Sequence, residues 1–427
     1  MLDIKLLREK PEEIRQAFQK RLIDLDLTKV FELDAQRRAL IQETETLKAR
    51  RNTVSSRIPL LKKQGKPIES LTSQMQEVSA KIKELDAALA EVEQQIKEFV
   101  ERLPNIPDAD VLAGGKENNQ VVHIWGQKPQ FDFTPKDHVD LVTSLNLIDY
   151  ERGVKLGGRG FWLYKGAGSL FEWGLLNYFI AEHLKDGYEF ILPPHILTYQ
   201  CGYTAGQFPK FEDDVFQLAT ESEGEKFKQF LLPTAETALI NFYRDEILQE
   251  DDFPKKYFAY TPCYRKEAGS YRTQERGMIR GHQFNKVEMF QFTLPEHSDQ
   301  ALEELTAKAE RLVQGLGLHY RLSKLAAADC SDAMAKTFDI EVWIPSMNEY
   351  KEVSSASNAR DYQARRGNIR FKRKDGKKTE FIHTLNASGL ATSRLLPAIV
   401  EQFQQSDGSV VVPEVLRKWV GKEVLRS

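Results

Sequence analysis

Cysteine is scarce. Cys201, Cys263 and Cys330 are the three in 427 residues, odd in number and far apart, which argues against a disulfide framework and a cysteine-rich metal centre and fits a reducing compartment. Long apolar runs are missing too, since none approaches the ~18 residues of a membrane span. The opening MLDIKLLREKPEEI carries acids early and shows no signal or transit pattern. A soluble, cytoplasmic protein with no membrane contact is expected. A surplus of one charge is also absent: 60 Lys and Arg stand against 63 Asp and Glu, a net charge of −3. A uniformly basic nucleic-acid coat is thereby excluded, and any polyanion site has to be a local patch. No P-loop string occurs, and Gly157-Gly158-Arg159-Gly160 is too short for a dinucleotide fingerprint. The eight histidines show no paired metal-ligand spacing, so no zinc is expected. What is present suffices for packed cores: 41% hydrophobic and 10% aromatic residues, over a length that predicts two domains.

The strongest periodicity lies between residues 30 and 103. Leu71, Met75, Val78, Ile82, Leu85, Leu89, Val92, Ile96, Phe99 and Leu103 recur at intervals of four and three, an a/d seam. Leu33, Leu40, Leu47, Val54 and Leu61 recur every seven residues upstream. Between them, Lys62-Lys63-Gln64-Gly65-Lys66-Pro67 is a turn signal. Two antiparallel helices forming a rod are predicted. A coiled coil that merely dimerises the chain would give the same pattern. Its charge favours another use: Thr46 to Ile68 holds no acid but has Lys48, Arg50, Arg51, Arg57, Lys62, Lys63 and Lys66. One-signed charge at the outer half of a rod suits a phosphate backbone. Pro104 and Pro107 end this region, predicting domains at 1–104 and 105–427. Beyond them helices and strands alternate irregularly, with hairpin signals such as Asp375-Gly376, which predicts an α+β body around an antiparallel sheet.

Four segments of that body carry chemistry. Read as a strand, Thr261 to Gly269 places Arg265 and Glu267 on one face. A polar loop with Arg272, Arg276 and Arg280 follows, and a second strand from His282 to Thr293 aligns Phe284, Lys286 and Glu288. An ion-pair ladder is the structural alternative, yet a half-buried strand face seldom holds so many such groups without a ligand. A guanidinium for phosphate, a ring for a base and carboxylates for amines suit a nucleotide. Thr234 and Glu236 could hold a small ammonium compound. Glu352 and Ser355, in Lys351-Glu352-Val353-Ser354-Ser355, suit Mg²⁺ between phosphates, but share a face only if a bulge intervenes. Phe381 to Gly389 leads into an amphipathic helix bearing Arg394.

These strings resemble the bacterial type of seryl-tRNA synthetase, a class II aminoacyl-tRNA synthetase. The likeness spans nearly the whole chain: the opening MLDIKLLREKPEEI, FILPP, GQFPKFEDDVF, LLPTAE, CYRKEAGS with RGMIRGHQFNKVEMF, EVSSASN with DYQARR, and HTLNASGLATSR with QQSDGSVVVPEVLR. It implies a class II antiparallel β-sheet catalytic domain flanked by helices, preceded by an antiparallel two-helix coiled-coil arm. The implied activity is ATP-dependent formation of seryl-adenylate and transfer of the seryl group to tRNA(Ser), and to tRNA(Sec) where that exists, by a homodimer. A catalytically inactive RNA-binding paralogue is the alternative. The resemblance assigns Arg265, Glu352 and Arg394 to catalysis. It assigns Arg265, Lys266, Glu267, Arg280, Phe284, Glu352, Val353, Ser354, Ser355 and Arg394 to ATP. Thr234, Ala235, Glu236, Glu288, Asn386 and Ser388 fall to L-serine, Glu352 and Ser355 to Mg²⁺, and the basic stretch to tRNA. Arg276 is a further phosphate candidate. Ala387 and Ser393 stand where the family usually has glycine, and Ala356 where cysteine is common. These three are expected beside the pocket. No HIGH or KMSKS string of the class I enzymes occurs.

Overall fold

The structure, a computed structural model, describes residues 1–65, 67–219, 229–267, 277–376 and 378–427. The chain forms two compact units: residues 2–18 with 23–103, and Met1, 19–22 and 104–427.

In the first unit two long helices, α1 (Thr28–Lys63) and α2 (Glu69–Val100), form the hairpin that the heptads predict. At 1.5 Å per residue, α1 is about 54 Å long. Gly65 takes a left-handed φ of 67° beyond its end, a conformation that costs glycine least. The seam of α2 buries Met75, Ile82, Leu85, Val92 and Ile96. In α1 Leu33 is buried, whereas Leu40, Leu47, Val54 and Leu61 are half-buried, because a lone pair of helices can cover only one stripe of each. Asp34 is buried under the guanidinium groups of Arg8 at 2.7 Å, Arg37 at 3.1 Å and Arg38 at 3.2 Å. Lys48 on α1 meets Asp86 on α2 at 2.9 Å.

The second unit is built on an eight-stranded sheet. In chain order its strands are β1 (Gln120–Trp125), β2 (Glu189–Ile191), β3 (Lys255–Tyr264), β4 (Gln283–Thr293), β5 (Tyr320–Lys324), β6 (Lys336–Ile344), β7 (Glu349–Arg360) and β8 (His383–Ala391). Their spatial order is β1-β5-β6-β7-β8-β4-β3-β2, antiparallel throughout except for the β2–β3 pair at one edge, which is parallel. The expected antiparallel sheet therefore carries one parallel edge strand.

Period-two alternation sorts the central strands. Val287, Met289, Ile340, Val353, Ala356, Leu385 and Ala387 enter the main apolar core. That core also takes side chains from the helices α3 (Ala167–Lys185), α4 (Ser298–Gly315) and α5 (Thr392–Gln402). The other sheet face is apolar toward one end, where Ala259, Phe290 and Phe292 form a second cluster. Elsewhere it is polar. A three-stranded satellite sheet contains the Asp375-Gly376 hairpin, with Arg370 opposite Phe381.

Ala356 and Ala387 face each other across β7 and β8, each at most 1% exposed. They lie in the core beneath the sheet and not beside the pocket, contrary to expectation, because their neighbours Ser355, Ser357, Asn386 and Ser388 take the opposite face.

Candidate active site

A cavity of about 640 Å³ opens over the polar part of the sheet. Its floor follows from strand register. Glu288 on β4 lies opposite Ser388 on β8, and Asn386 is two residues before Ser388 on the same face. Lys286 Nζ meets Glu288 Oε2 at 2.8 Å, both side chains being buried. Thr234 and Glu236, at the start of a short helix (Glu236–Leu239), close the cavity on another side. Gln363 Nε2 donates to Glu236 Oε1 at 2.6 Å. Burial, with the charge of Glu288, pushes the Glu236 carboxyl up to about 7. The Thr234 hydroxyl and the Asn386 side-chain oxygen are buried, with no hydrogen-bond partner among the described residues. Three donors or acceptors and two carboxylates thus face one small volume.

At the next part of the cavity, β7 skips a residue against β6: Ser354 pairs with Ile340 and Glu352 with Glu341. This bulge turns Glu352 and Ser355 to the same side, as their proposed partnership requires, and both line the cavity. Ser355 Oγ donates to Asp339 Oδ1 at 2.7 Å. Burial first, then the charge of Glu352, raises the Asp339 carboxyl well above the usual range. This corner favours a cation. Arg394, on the first turn of α5, donates to the Glu352 carbonyl at 2.8 Å and reaches its carboxylate at 3.3 Å.

The β3–β4 hairpin pairs Cys263 with Phe284, but β3 ends at Tyr264. Arg265, Lys266 and Glu267 lie beyond it, so the expectation that Arg265 and Glu267 share a strand face is corrected. Glu267 has a φ of 52°, a left-handed backbone that no regular strand contains. Its carboxylate instead meets Arg280 Nε at 3.1 Å. Arg265 is held by its N–H to the His282 carbonyl at 2.9 Å and by Nε to the Pro233 carbonyl at 3.3 Å. Its guanidinium lies 5.2 Å from the centre of the Phe284 ring. Arg265, Arg280 and Arg394 border both the large cavity and an adjoining one of about 70 Å³, where Glu267 and Phe284 are found.

Several expected residues do not present side chains to the large cavity. Ala235 is fully buried in the second apolar cluster. Val353 is in the main core and borders only the small cavity. Ser354 Oγ is turned to the Ser388 carbonyl at 2.5 Å. Lys266 is exposed, and its N–H donates to the Asp214 carbonyl. Arg272 and Arg276 lie outside the described residues. Asp339 and Glu341 line the cavity without having been foreseen, although acids alternating in Phe338-Asp339-Ile340-Glu341-Val342 were a signal for them. Gln363, which holds Glu236, lies in the DYQARR string but was given no role there.

On the hairpin, Arg50, Arg57, Lys62 and Lys63 are exposed and Arg51 is half-buried. Lys48 is engaged by Asp86, and Lys66 lies outside the described residues. Among the described residues no three His, Cys, Asp or Glu side chains group as metal ligands, and no helix is long and apolar enough to cross a membrane.

Residues 217–403, which hold six of the eight sheet strands and most of the cavity lining, match the tRNA synthetase class II core domain (G, H, P, S and T). Residues 1–107 match the seryl-tRNA synthetase N-terminal domain. Serine--tRNA ligase 2 of Clostridium acetobutylicum is 66% identical over 100% of both chains. A seryl-tRNA synthetase from Pyrococcus horikoshii, solved in complex with ATP, is 33% identical, with a TM-score of 0.92 over 100% of this chain and 99% of that one. The cytoplasmic enzyme of Naegleria fowleri, solved with AMP, is 30% identical, with a TM-score of 0.88 over 100% and 99%. The chain belongs to the seryl-tRNA synthetase family.

Proposed function

We propose that this chain is a serine--tRNA ligase: it activates L-serine with ATP and transfers the seryl group to the 3′ end of tRNA(Ser), and of tRNA(Sec) where that exists. The observation that carries this is the convergence of Glu236, Glu288, Ser388, Glu352, Arg265 and Arg394 on one cavity. Nothing favours a paralogue that only binds RNA, since every assigned group among the described residues is present.

In the first step the serine carboxylate attacks the α-phosphorus of ATP; a carboxylate–phosphate bond forms and pyrophosphate leaves. In the second a terminal ribose hydroxyl attacks the acyl carbon, and AMP leaves. The first step needs no protein base, because its nucleophile is already anionic. Alignment and charge cancellation therefore carry the catalysis. Arg265 is assigned to the α-phosphate, Arg280 to the outer phosphates, Phe284 and Arg394 to the two faces of adenine, and Glu267 to its amine. Glu236 would take the serine ammonium, and Glu288 with Ser388 the hydroxyl, with Thr234 and Asn386 alongside. Glu352 and Ser355 suit Mg²⁺, which would neutralise phosphate charge when bound with ATP. Residues 1–104 are assigned to tRNA and 105–427 to catalysis. A cytoplasmic homodimer goes with this activity; Leu170, Trp173 and Leu184 of α3, each more than half exposed, offer it an apolar surface.

ATP–pyrophosphate exchange with each of the twenty amino acids, without tRNA, tests the proposal: serine alone should support rapid exchange. Rapid exchange with another amino acid in place of serine, or none with any, overturns it.

Two residue-level outcomes follow. Because the Glu236 carboxyl is pushed up to about 7, part of it is protonated near neutrality, and only the ionised form attracts an ammonium. The kcat/KM for serine should therefore rise with pH through about 7 and then level off. A flat profile across that interval removes Glu236 from this role. Glu288→Ala should lower kcat/KM for serine by roughly 10- to 100-fold through loss of a charged hydrogen-bond acceptor, while the KM for ATP changes little. It also strips buried Lys286 of its carboxylate, so urea denaturation should show a loss of about 3–5 kcal/mol. Equal losses toward serine and ATP speak against the assignment.

A further inference from the structure

Behind the two residues assigned to adenine lies a carboxylate that contacts neither cavity. Glu172, on α3, is 3% exposed. Its Oε1 accepts from Asn285 Nδ2 at 2.7 Å and from Thr392 Oγ1 at 2.5 Å. Asn285 directly follows Phe284 on β4, and Thr392 stands two residues before Arg394 on α5. The Thr392 hydroxyl also lies 3.2 Å from the Asn285 carbonyl, and Asn285 Oδ1 accepts from the Tyr260 hydroxyl at 3.2 Å. A single oxygen thus joins β4 to the start of α5 and anchors both on a third element. Burial pushes the Glu172 carboxyl up to about 6, against the pull of Thr392, Asn285 and Tyr164. Its bonded partners are neutral, and a buried acid without a cation is costly; an apolar side chain would serve packing better.

We propose that Glu172 is a positioning residue that sets the gap between Phe284 and Arg394, and hence the slot for the adenine ring. The role is mechanical. Phe284 and Arg394 come from segments more than 100 residues apart in sequence and border the same small cavity. The backbone of β8, which pairs with β4 and runs straight into α5, links the two, but its ladder is irregular between Ser388 and Ala391, just before the helix; Glu172 adds a side-chain tie at that point. Since both bonds converge on one oxygen, a glutamine amide oxygen can accept them equally, whereas leucine can accept neither.

The test is steady-state ATP–pyrophosphate exchange by the full-length chain. Glu172→Leu is expected to raise the KM for ATP about 10-fold, with the KM for serine moving less than about 2-fold, as expected for a displaced binding wall. Glu172→Gln is expected to restore the KM for ATP to near its original value. Should Glu172→Leu fail to fold, Thr392→Val decides: it removes one of the two bonds and should raise the KM for ATP about 3-fold, leaving that for serine in place. An unchanged KM for ATP in the folded variants, equal rises for both substrates, or a glutamine variant as impaired as leucine overturns the proposal. It rests on the assignment of Phe284 and Arg394 to adenine, which Phe284→Ala checks separately. No rise in the KM for ATP there sinks that assignment and the proposal with it. A rise there, with none in the Glu172 and Thr392 variants, counts against Glu172 alone.

Discussion

Replacing Arg265 with alanine lowers serine-dependent pyrophosphate exchange by about 10²–10³-fold or more, the cost of removing a preorganised charge-stabilising donor. The guanidinium is placed before any ligand arrives: the backbone amide of Arg265 is tied to the His282 carbonyl, while the side chain's Nε donates to the Pro233 carbonyl and the group lies near the ring of Phe284. Little reorganisation then opposes its action as negative charge grows at the α-phosphate. Lysine at this position should recover only part of the rate, since a point charge lacks the two-pronged donor geometry that suits phosphate. An exchange rate within a few-fold of the original in Arg265→Ala would falsify the assignment.

Shortening the helical hairpin should separate the two half-reactions. Removing residues 49–85, with a short glycine-rich splice, deletes Arg50, Arg51, Arg57, Lys62, Lys63 and Lys66 but leaves Lys48 and Asp86, which join the two helices. Pyrophosphate exchange should stay within about 2-fold, while tRNA charging falls by about 10²-fold or more, because several phosphate contacts are lost together. Double-stranded RNA presents shape and backbone more than readable sequence, so such contacts would supply most of the affinity there. The intact chain's affinity for tRNA should accordingly fall steeply with salt, with a shallower slope after the deletion. Unimpaired charging by the shortened chain would remove the hairpin from tRNA binding.

How much of this was legible in the sequence depended on range. The hairpin was readable almost to its ends because an a/d seam, a turn signal with Gly65 and Pro67 and a run of basic residues are local signals, each complete within a few turns of helix. The need for a bulge between Glu352 and Ser355 was also readable, since strand periodicity forbids the alternative. The end of β3 was not. Thr261 to Gly269 alternates well enough to pass for a strand, but β3 stops at Tyr264, and Glu267 adopts a left-handed backbone and pairs with Arg280, a residue outside that string. Ala356 and Ala387 were misplaced for a related reason: face follows from register, and register depends on which strands pair.

By itself the sequence determined the helical arm and the acid-free basic run from Thr46 to Ile68, the α+β class, and the strings that mark the family. These rest on periodicity and composition, which act between residues close along the chain. Tertiary structure alone decided that Gln363 holds Glu236, that the Glu236 carboxyl is pushed up to about 7, and that Glu172 ties β4 to α5. Each of these depends on burial or on a partner brought in by strand pairing and helix packing, and the local dielectric exists only once distant segments have closed over it.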